Sequence, residues 1–129
     1  MKMYAVLRSD IFMDAGKAAA QAGHAFVHTT LEAQRIGPER LTLYHPNGSM
    51  GTRIVLKASL RQIRRLEQKF RAFGLPYYVV VDEGHVFPPD FTGKKIVTAI
   101  GVGPLMSEES DKLLSTFELF KVNRRRYKK

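Results

Sequence analysis

Four short apolar runs, separated by stretches with helical spacing, limit what this chain can fold into. Residues 3–7 are continuously apolar, the pattern of a strand buried on both faces. Residues 53–58, 77–81 and 96–102 supply three more strands. Of these, Tyr77-Tyr78-Val79-Val80-Val81, all aromatic or β-branched, is the strongest signal. The alanine-rich, proline-free stretch 17–33 reads as a long helix, with Asp14 at its N-cap and Gly37-Pro38 as its stop. Ala18, Ala22 and Ala25 share one side of it, and side chains that small allow close approach to a sheet. Ser59 opens a second helix, running to Phe73. Its apolar residues Ile63, Leu66, Phe70 and Phe73 recur at helical spacing, opposite Arg61, Arg65 and Lys69. Gly74 and Pro76 end that helix. A last helix opens at Ser107, places acids at the positive end of its dipole and is expected to reach about Phe120. Residues 38–50 and 82–93 read as irregular, and the fourth strand is expected to close at Gly103-Pro104. The order β, α, β, α, β, β, α predicts an α/β fold, a three-layer α/β/α domain around a four-stranded mixed sheet. That domain is expected over residues 1–120, with a basic tail at 121–129.

Charge narrows the function classes. The 129 residues carry a net charge of +9, and six of the 21 Lys and Arg residues fall at 121–129, leaving a body near +3. A second basic group comprises Arg61, Arg64, Arg65, Lys69 and Arg71. Such clusters suit a polyanionic partner, and equally a solvated surface with a basic end. With no cysteine, disulfides and thiolate chemistry are excluded, which fits a reducing compartment. No apolar run approaches the roughly 20 residues of a membrane helix. The first residues are too short between charges for a secretory signal. A cytoplasmic protein without a membrane partner is expected.

Several chemistries fail on spacing. Gly48-Ser49-Met50-Gly51 does not have the spacing of a nucleophile elbow. Asp14-Ala15-Gly16-Lys17-Ala18 lacks the first glycine and the following Ser or Thr of a phosphate loop. Gly101-x-Gly103 ends in Pro104, without a third glycine. His24 and His28 are four apart on the first helix, but no Glu follows His24 and no third ligand is apparent, so no metal site and no cofactor are expected. One stripe does carry chemistry. At 100° per residue, Lys17, Gln21, His24 and His28 share one narrow sector of the first helix. A lysine in the first turn opposes the helix dipole, so Lys17 is better placed to meet an anion than to stabilise the helix. A solvated polar face would give the same stripe.

The ordered series Val6-Leu7-Arg8-Ser9-Asp10, Met13, Gly16-Lys17, Ala19-Ala20-Gln21 and His24-Ala25 resembles the N-terminal signature of the type II peptidyl-tRNA hydrolases. That signature reads hydrophobic-Arg-x-Asp, a lysine-containing loop, then G-K-x-A-A-Q-x-x-H-A. The similarity resumes at Val55-Leu56-Lys57, Gly74-Leu75-Pro76, Asp82-x-Gly84 and Thr98-Ala99-Ile100-Gly101-Val102-Gly103-Pro104. There are departures. Phe12, Asp14 and Ala15 stand where the family carries further loop lysines, and the family's D-A-G-[RK]-T becomes Asp82-Glu83-Gly84-His85-Val86. The following loop is longer and carries Phe87, Pro88, Pro89, Phe91 and Thr92.

The resemblance implies hydrolysis of the ester joining a peptide to the 3′-terminal ribose of tRNA. On that reading Lys17 stabilises developing charge at a helix N-terminus, and Asp82 positions water or holds Lys17. Thr98 donates or relays a hydrogen bond. His24 is a secondary base, or packs its helix onto the sheet. The candidate tRNA contacts are Arg8, Gln21, Lys57, Arg61, Arg65, Lys69, His85, Arg124, Arg125 and Arg126. Arg8 and Lys57 fit a structural role equally well. Tyr77 and Tyr78 could stack on a base, with at least one of them expected in the core. The implied partners are tRNA, the ribosome and a second copy in a homodimer. The departures favour an alternative, a non-catalytic tRNA- or ribosome-binding protein on the same fold. A small-molecule hydrolase or interaction module, its basicity incidental, is the other reading.

Overall fold

A computed structural model describes residues 1–122. Four strands form one mixed sheet: β1 (Lys2–Arg8), β2 (Thr52–Ala58), β3 (Tyr77–Asp82) and β6 (Ile96–Leu105). Their order across the sheet is β2-β1-β6-β3. β1 and β2 run parallel, with Val6 opposite Leu56, whereas β6 is antiparallel to both β1 and β3. The C-terminal ends of β1, β2 and β3 therefore meet the start of β6 along one edge. In open α/β sheets ligands gather outside that edge.

Strands buried on both faces need a layer on each. Helix α1 (Ala15–Ile36) covers one face and packs Ala18, Ala22 and Ala25 against Ala5, Leu7, Val80 and Ala99. Helices α3 (Leu60–Ala72) and α4 (Ser107–Leu114) cover the other, where Ile63, Leu66, Phe70, Leu113 and Leu114 meet Tyr4, Val6, Ile100 and Val102. This is the three-layer α/β/α arrangement around a four-stranded mixed sheet. The alanine face lets α1 lie almost on the β6 backbone. A Cβ added at Gly101 would sit 2.6 Å from the Ala25 carbonyl oxygen and closer still to Thr29 Oγ1.

Local signals set the helix ends. The Asp14 carboxylate accepts from Lys17 N–H at 2.8 Å, and Ser59 and Gln62 form a reciprocal capping box. Gly74 takes φ of +66°, and Leu75 N–H returns to the Phe70 carbonyl at 3.0 Å, closing α3.

Several expectations need correction. Helix α1 covers 15–36 rather than 17–33. Within 38–50, read as irregular, lies a further helix, α2 (Pro38–Tyr44), because the proline that stops α1 also suits the first turn of its successor. Strand β6 runs through Gly103-Pro104 to Leu105. Phe73, grouped with the apolar face of α3, is 53% exposed at the helix end, beneath Lys112 Nζ at 4.9 Å. Helix α4 stops at Leu114; beyond it the chain turns back beside β2, where Phe120 N–H donates to Val55 O at 2.9 Å. The loop after β3 holds a small hairpin, β4 (Val86–Phe87) and β5 (Phe91–Thr92), with a cis Pro88-Pro89 peptide between them.

Candidate active site

The first turn of α1 and the last residue of β3 meet at the ligand edge of the sheet. Lys17 Nζ donates to Asp82 Oδ2 at 2.6 Å, although the residues are 65 positions apart. Their side chains retain 17% and 18% exposure, enough for a small substrate to reach them and little enough to limit screening. Phe91, buried at the end of the hairpin, lies under the ammonium, with the ring centroid 5.0 Å from Nζ. The lysine is thus held from two sides by parts of the chain remote in sequence.

Two depressions flank this pair. One, of about 230 Å³, lies between α1 and β3 and includes Gln21, His24, His28, Tyr78 and Asp82 in its wall. Three members of the helical stripe read from the sequence, Gln21, His24 and His28, therefore line this groove, while Lys17 lies in the neighbouring depression. The other is small and aromatic, with Lys17, Phe12, His85, Phe87 and Phe91. The hairpin is fixed over it: Phe12 N–H donates to Asp90 Oδ2 at 2.9 Å, the Phe12 and Phe87 rings are 6.0 Å apart, and His85 packs edge-on against Phe91 at 4.8 Å.

Beneath the groove, Thr98 is fully buried and its hydroxyl donates to Gln21 Oε1. Gln21, only 3% exposed, is no surface contact for a phosphate backbone; it links the β6 interior to the groove. With Oε1 occupied, the donor end of its amide is what it offers there. His24 is exposed on the groove rim, so it does not pack α1 onto the sheet. His28 stacks on Tyr78 with centroids 4.6 Å apart, while Tyr77 lies partly in the core beside Phe70. Among the described residues, no cluster of three His, Cys, Asp or Glu side chains is arranged to hold a metal ion.

The other cations scatter. Arg8 is committed internally. Its guanidinium grips both Asp10 oxygens at 2.9 and 3.0 Å, donates to Val97 O at 3.2 Å, and leaves 11% of the side chain exposed. That favours the structural role over phosphate contact. Burial works to raise the Asp10 carboxyl; the Arg8 hydrogen bonds and Leu60 N–H outweigh it, so its pKa lies below the ordinary value. Lys57 faces Glu118 at 3.5 Å, a solvated pair that constrains little. Arg61, Arg65 and Lys69 are exposed on α3, across the sheet from α1, and the fold does not bring them to the Lys17–Asp82 cleft. Arg61, in the first turn of α3, is at the same end of the sheet. Arg124, Arg125 and Arg126 lie outside the described residues.

Sequence reasoning missed Lys94 and Lys95. Both are exposed and immediately precede Ile96, the partner of Asp82 across β3 and β6. The adjacent lysine pair closing the long loop was the available signal. The sequence offers Thr92 as a replacement for the hydroxyl lost at Val86 without placing it, and the hairpin pairs the two. The two are directly opposed in the hairpin, so a hydroxyl absent at position 86 is present across the strand pair on the same face.

Comparison with known proteins adds a further finding. The profile of the family described as Peptidyl-tRNA hydrolase PTH2 matches residues 1–120. A protein of Methanocaldococcus jannaschii named Peptidyl-tRNA hydrolase is 32% identical over 120 residues, covering 92% of this chain and 99% of that protein. Its namesake from Pyrobaculum aerophilum is 36% identical over 122 residues, 94% of this chain and 98% of the other. One from Methanothermobacter thermautotrophicus is 31% identical over 119 residues, 92% and 99% of the two chains.

Proposed function

The chain belongs to the peptidyl-tRNA hydrolase PTH2 family, and on that premise we propose a catalytic centre built on Lys17 and Asp82. The protein is a hydrolase that cleaves the ester of peptidyl-tRNA, releasing peptide and free tRNA. A non-catalytic binding role on the same fold is not favoured by these relationships. The observation that carries the catalytic assignment is the 2.6 Å Lys17–Asp82 contact, bordered by a groove on one side and an aromatic pocket on the other.

Water attacks the carbonyl carbon of the ester, and the carbonyl oxygen takes the negative charge of the tetrahedral intermediate. Lys17 supplies the opposing charge. The Asp14 cap already uses one first-turn N–H of α1, which leaves the ammonium beside the remaining donors of the helix end as the stabilising charge. Asp82 fixes the ammonium through Oδ2. His24, on the rim of the same groove, accepts the proton lost by water and returns it to the departing ribose oxygen. The C–O bond breaks, tRNA leaves with its hydroxyl, and the peptide acid ionises. Thr98 and Gln21 are positioning residues. The Gln21 amide, oriented by Thr98, donates to water or to the substrate carbonyl.

Substrate charge explains the exposed cations. Lys94 and Lys95 immediately precede the strand partner of Asp82, and Arg61 lies at the same end of the sheet, so the acceptor arm would approach over that edge. The basic residues of α3 and the tail serve as outlying phosphate contacts, and the enzyme acts in the cytoplasm beside the ribosome. No helix among the described residues is long and apolar enough to cross a membrane. A homodimer completes the proposal, and sedimentation would read it as twice the 14.6 kDa chain mass.

The deciding experiment is release of peptide from purified peptidyl-tRNA, with Lys17→Ala and Asp82→Ala alongside. Turnover by the parent and its collapse in both variants is expected. Tight, salt-sensitive binding without turnover by the parent would refute the catalytic reading.

A further inference from the structure

The sheet treats its two edges differently. The outer side of β2 is taken by the chain itself, since Lys57 N–H donates to Glu118 O and Phe120 N–H to Val55 O, each at 2.9 Å, with Leu119 opposite Leu56. The other edge strand, β3, pairs with β6 on one side and, among the described residues, with no strand on the other. Yet β3 is the most β-prone segment of the chain, with Val81 50% and Tyr78 39% exposed. An open, apolar edge of this kind is a template for another strand. Alongside it runs the groove that ends at Asp82.

We propose that the peptide part of the substrate binds as an added strand along the open edge of β3, its ester carbon delivered to the Lys17–Asp82 pair. This rests on the hydrolase reading above. Two arguments choose this occupant. The reacting atom is the peptide's terminal carbonyl carbon, so peptide and nucleotide must leave the centre by different paths. On the hairpin side stand aromatic rings, with Lys94 and Lys95 nearby, the chemistry that takes bases and phosphates. The groove beside β3, in a chain with 21 Lys and Arg, has neither a lysine nor an arginine in its wall, and the rings of Tyr78 and His28 there are stacked on each other. It suits a neutral main chain, and main-chain pairing serves any peptide sequence alike.

Direction and length follow from the topology. With its C-terminus at Asp82, where β3 ends, the peptide runs parallel to β3. From Tyr78 to Asp82 the strand advances about 13 Å at roughly 3.3 Å per residue, room for about four peptide residues. In such a pairing alternate residues direct their amide groups to β3, and the residues between direct theirs away.

The test uses the intact enzyme and one tRNA charged with N-acetylated peptides of one to six residues, plus four-residue peptides carrying a single N-methyl at each amide in turn. Loss of two or more main-chain hydrogen bonds predicts kcat/KM rising about tenfold from one residue to four and then levelling. N-methylation should lower it several-fold at alternate positions and leave the intervening ones near the parent value. In Tyr78→Lys the ratio of four-residue to one-residue kcat/KM should fall toward one; being a ratio, it does not depend on how much of the variant is folded. Turnover indifferent to both length and N-methylation would overturn the added strand while leaving the hydrolase intact. So would a dimer that Tyr78→Lys dissociates, which would assign the edge to a second copy. Absence of turnover with every substrate would remove the hydrolase reading, and this one with it.

Discussion

A double-mutant cycle on Lys17 and Asp82 separates a working unit from two independent groups. At an effective dielectric constant near 20, opposite charges roughly 4 Å apart attract by about 4 kcal/mol. Desolvation opposes this, and the 17% and 18% of side-chain surface left to water screens it further. A net coupling of about 1–2 kcal/mol in stability is expected. Lys17→Ala and Asp82→Ala should each lose about that much, since each strands a partly buried charge, and the double variant should lose little more than either. Turnover should follow the same pattern more steeply. Removing a group that stabilises the oxyanion costs roughly a hundred- to a thousandfold in kcat. If Asp82 acts by holding the ammonium, the double variant is no slower than Lys17→Ala alone. Urea unfolding gives the first quantity, and single-turnover hydrolysis at saturating enzyme gives the second. Multiplying kcat losses would refute the argument by giving Asp82 a task independent of Lys17. Equal losses in binding and turnover for Lys17→Ala would reduce that residue to a phosphate contact.

Other perturbations probe the frame around the pair. Gly101→Ala pushes a methyl toward the Ala25 carbonyl at 2.6 Å, so α1 must lift from the sheet; a stability loss of about 3 kcal/mol and a fall in melting temperature near 10 °C are expected by calorimetry. Thr98→Val leaves the Gln21 carbonyl unpaired in the interior and should cost about 1–3 kcal/mol in urea unfolding, with a clear drop in kcat. The Arg40 hydrogen bonds, with Met106 N–H beside them, hold the Glu109 carboxyl below its ordinary pKa against the opposing effect of burial. A depressed folded pKa stabilises above the unfolded value near 4.5 and loses that contribution as pH falls through the folded one. The stability advantage of the parent over Glu109→Gln should therefore be constant above about pH 5 and shrink on acidification below about pH 4.5. An advantage that grows on acidification would reverse the assignment.

What the residues disclosed and what they withheld divides along physical lines. The strands, the α1 cap at Asp14 and the stop of α3 at Gly74 depend on neighbours a few positions away, so local pattern suffices. Helix α2 is hidden in the pattern because one proline both stops α1 and suits the first turn of its successor. Arg8 looked like a phosphate ligand by position, yet Asp10, two residues on, was visible as a competing acceptor. The hairpin over the aromatic pocket and the return of residues 118–120 to β2 depend on contacts from distant parts of the chain. Apolar pattern shows that a segment is a strand but not which strand lies beside it.

Lys17 was legible for the opposite reason. A cation in the first turn of α1 works against the dipole, and its neighbours Gln21, His24 and His28 make a polar stripe on a helix whose alanines press into the sheet. Such local conflicts persist where something outside the segment compensates for them, and here the compensation is Asp82 at the end of another strand. Strand β3 poses the same kind of conflict at the level of the sheet. Five consecutive aromatic or β-branched residues lie on an edge that no strand among the described residues covers, although residues 118–120 return to cover β2. A first-turn lysine needs an anion and an open edge needs a strand. In the proposed binding mode one substrate brings both to adjoining places, because the tetrahedral oxyanion forms on the last carbonyl of a peptide chain. On that reading the order of α1 and β3 around that point serves a hydrolase of a peptide ester, and it gives the open edge a use that holding tRNA alone would not.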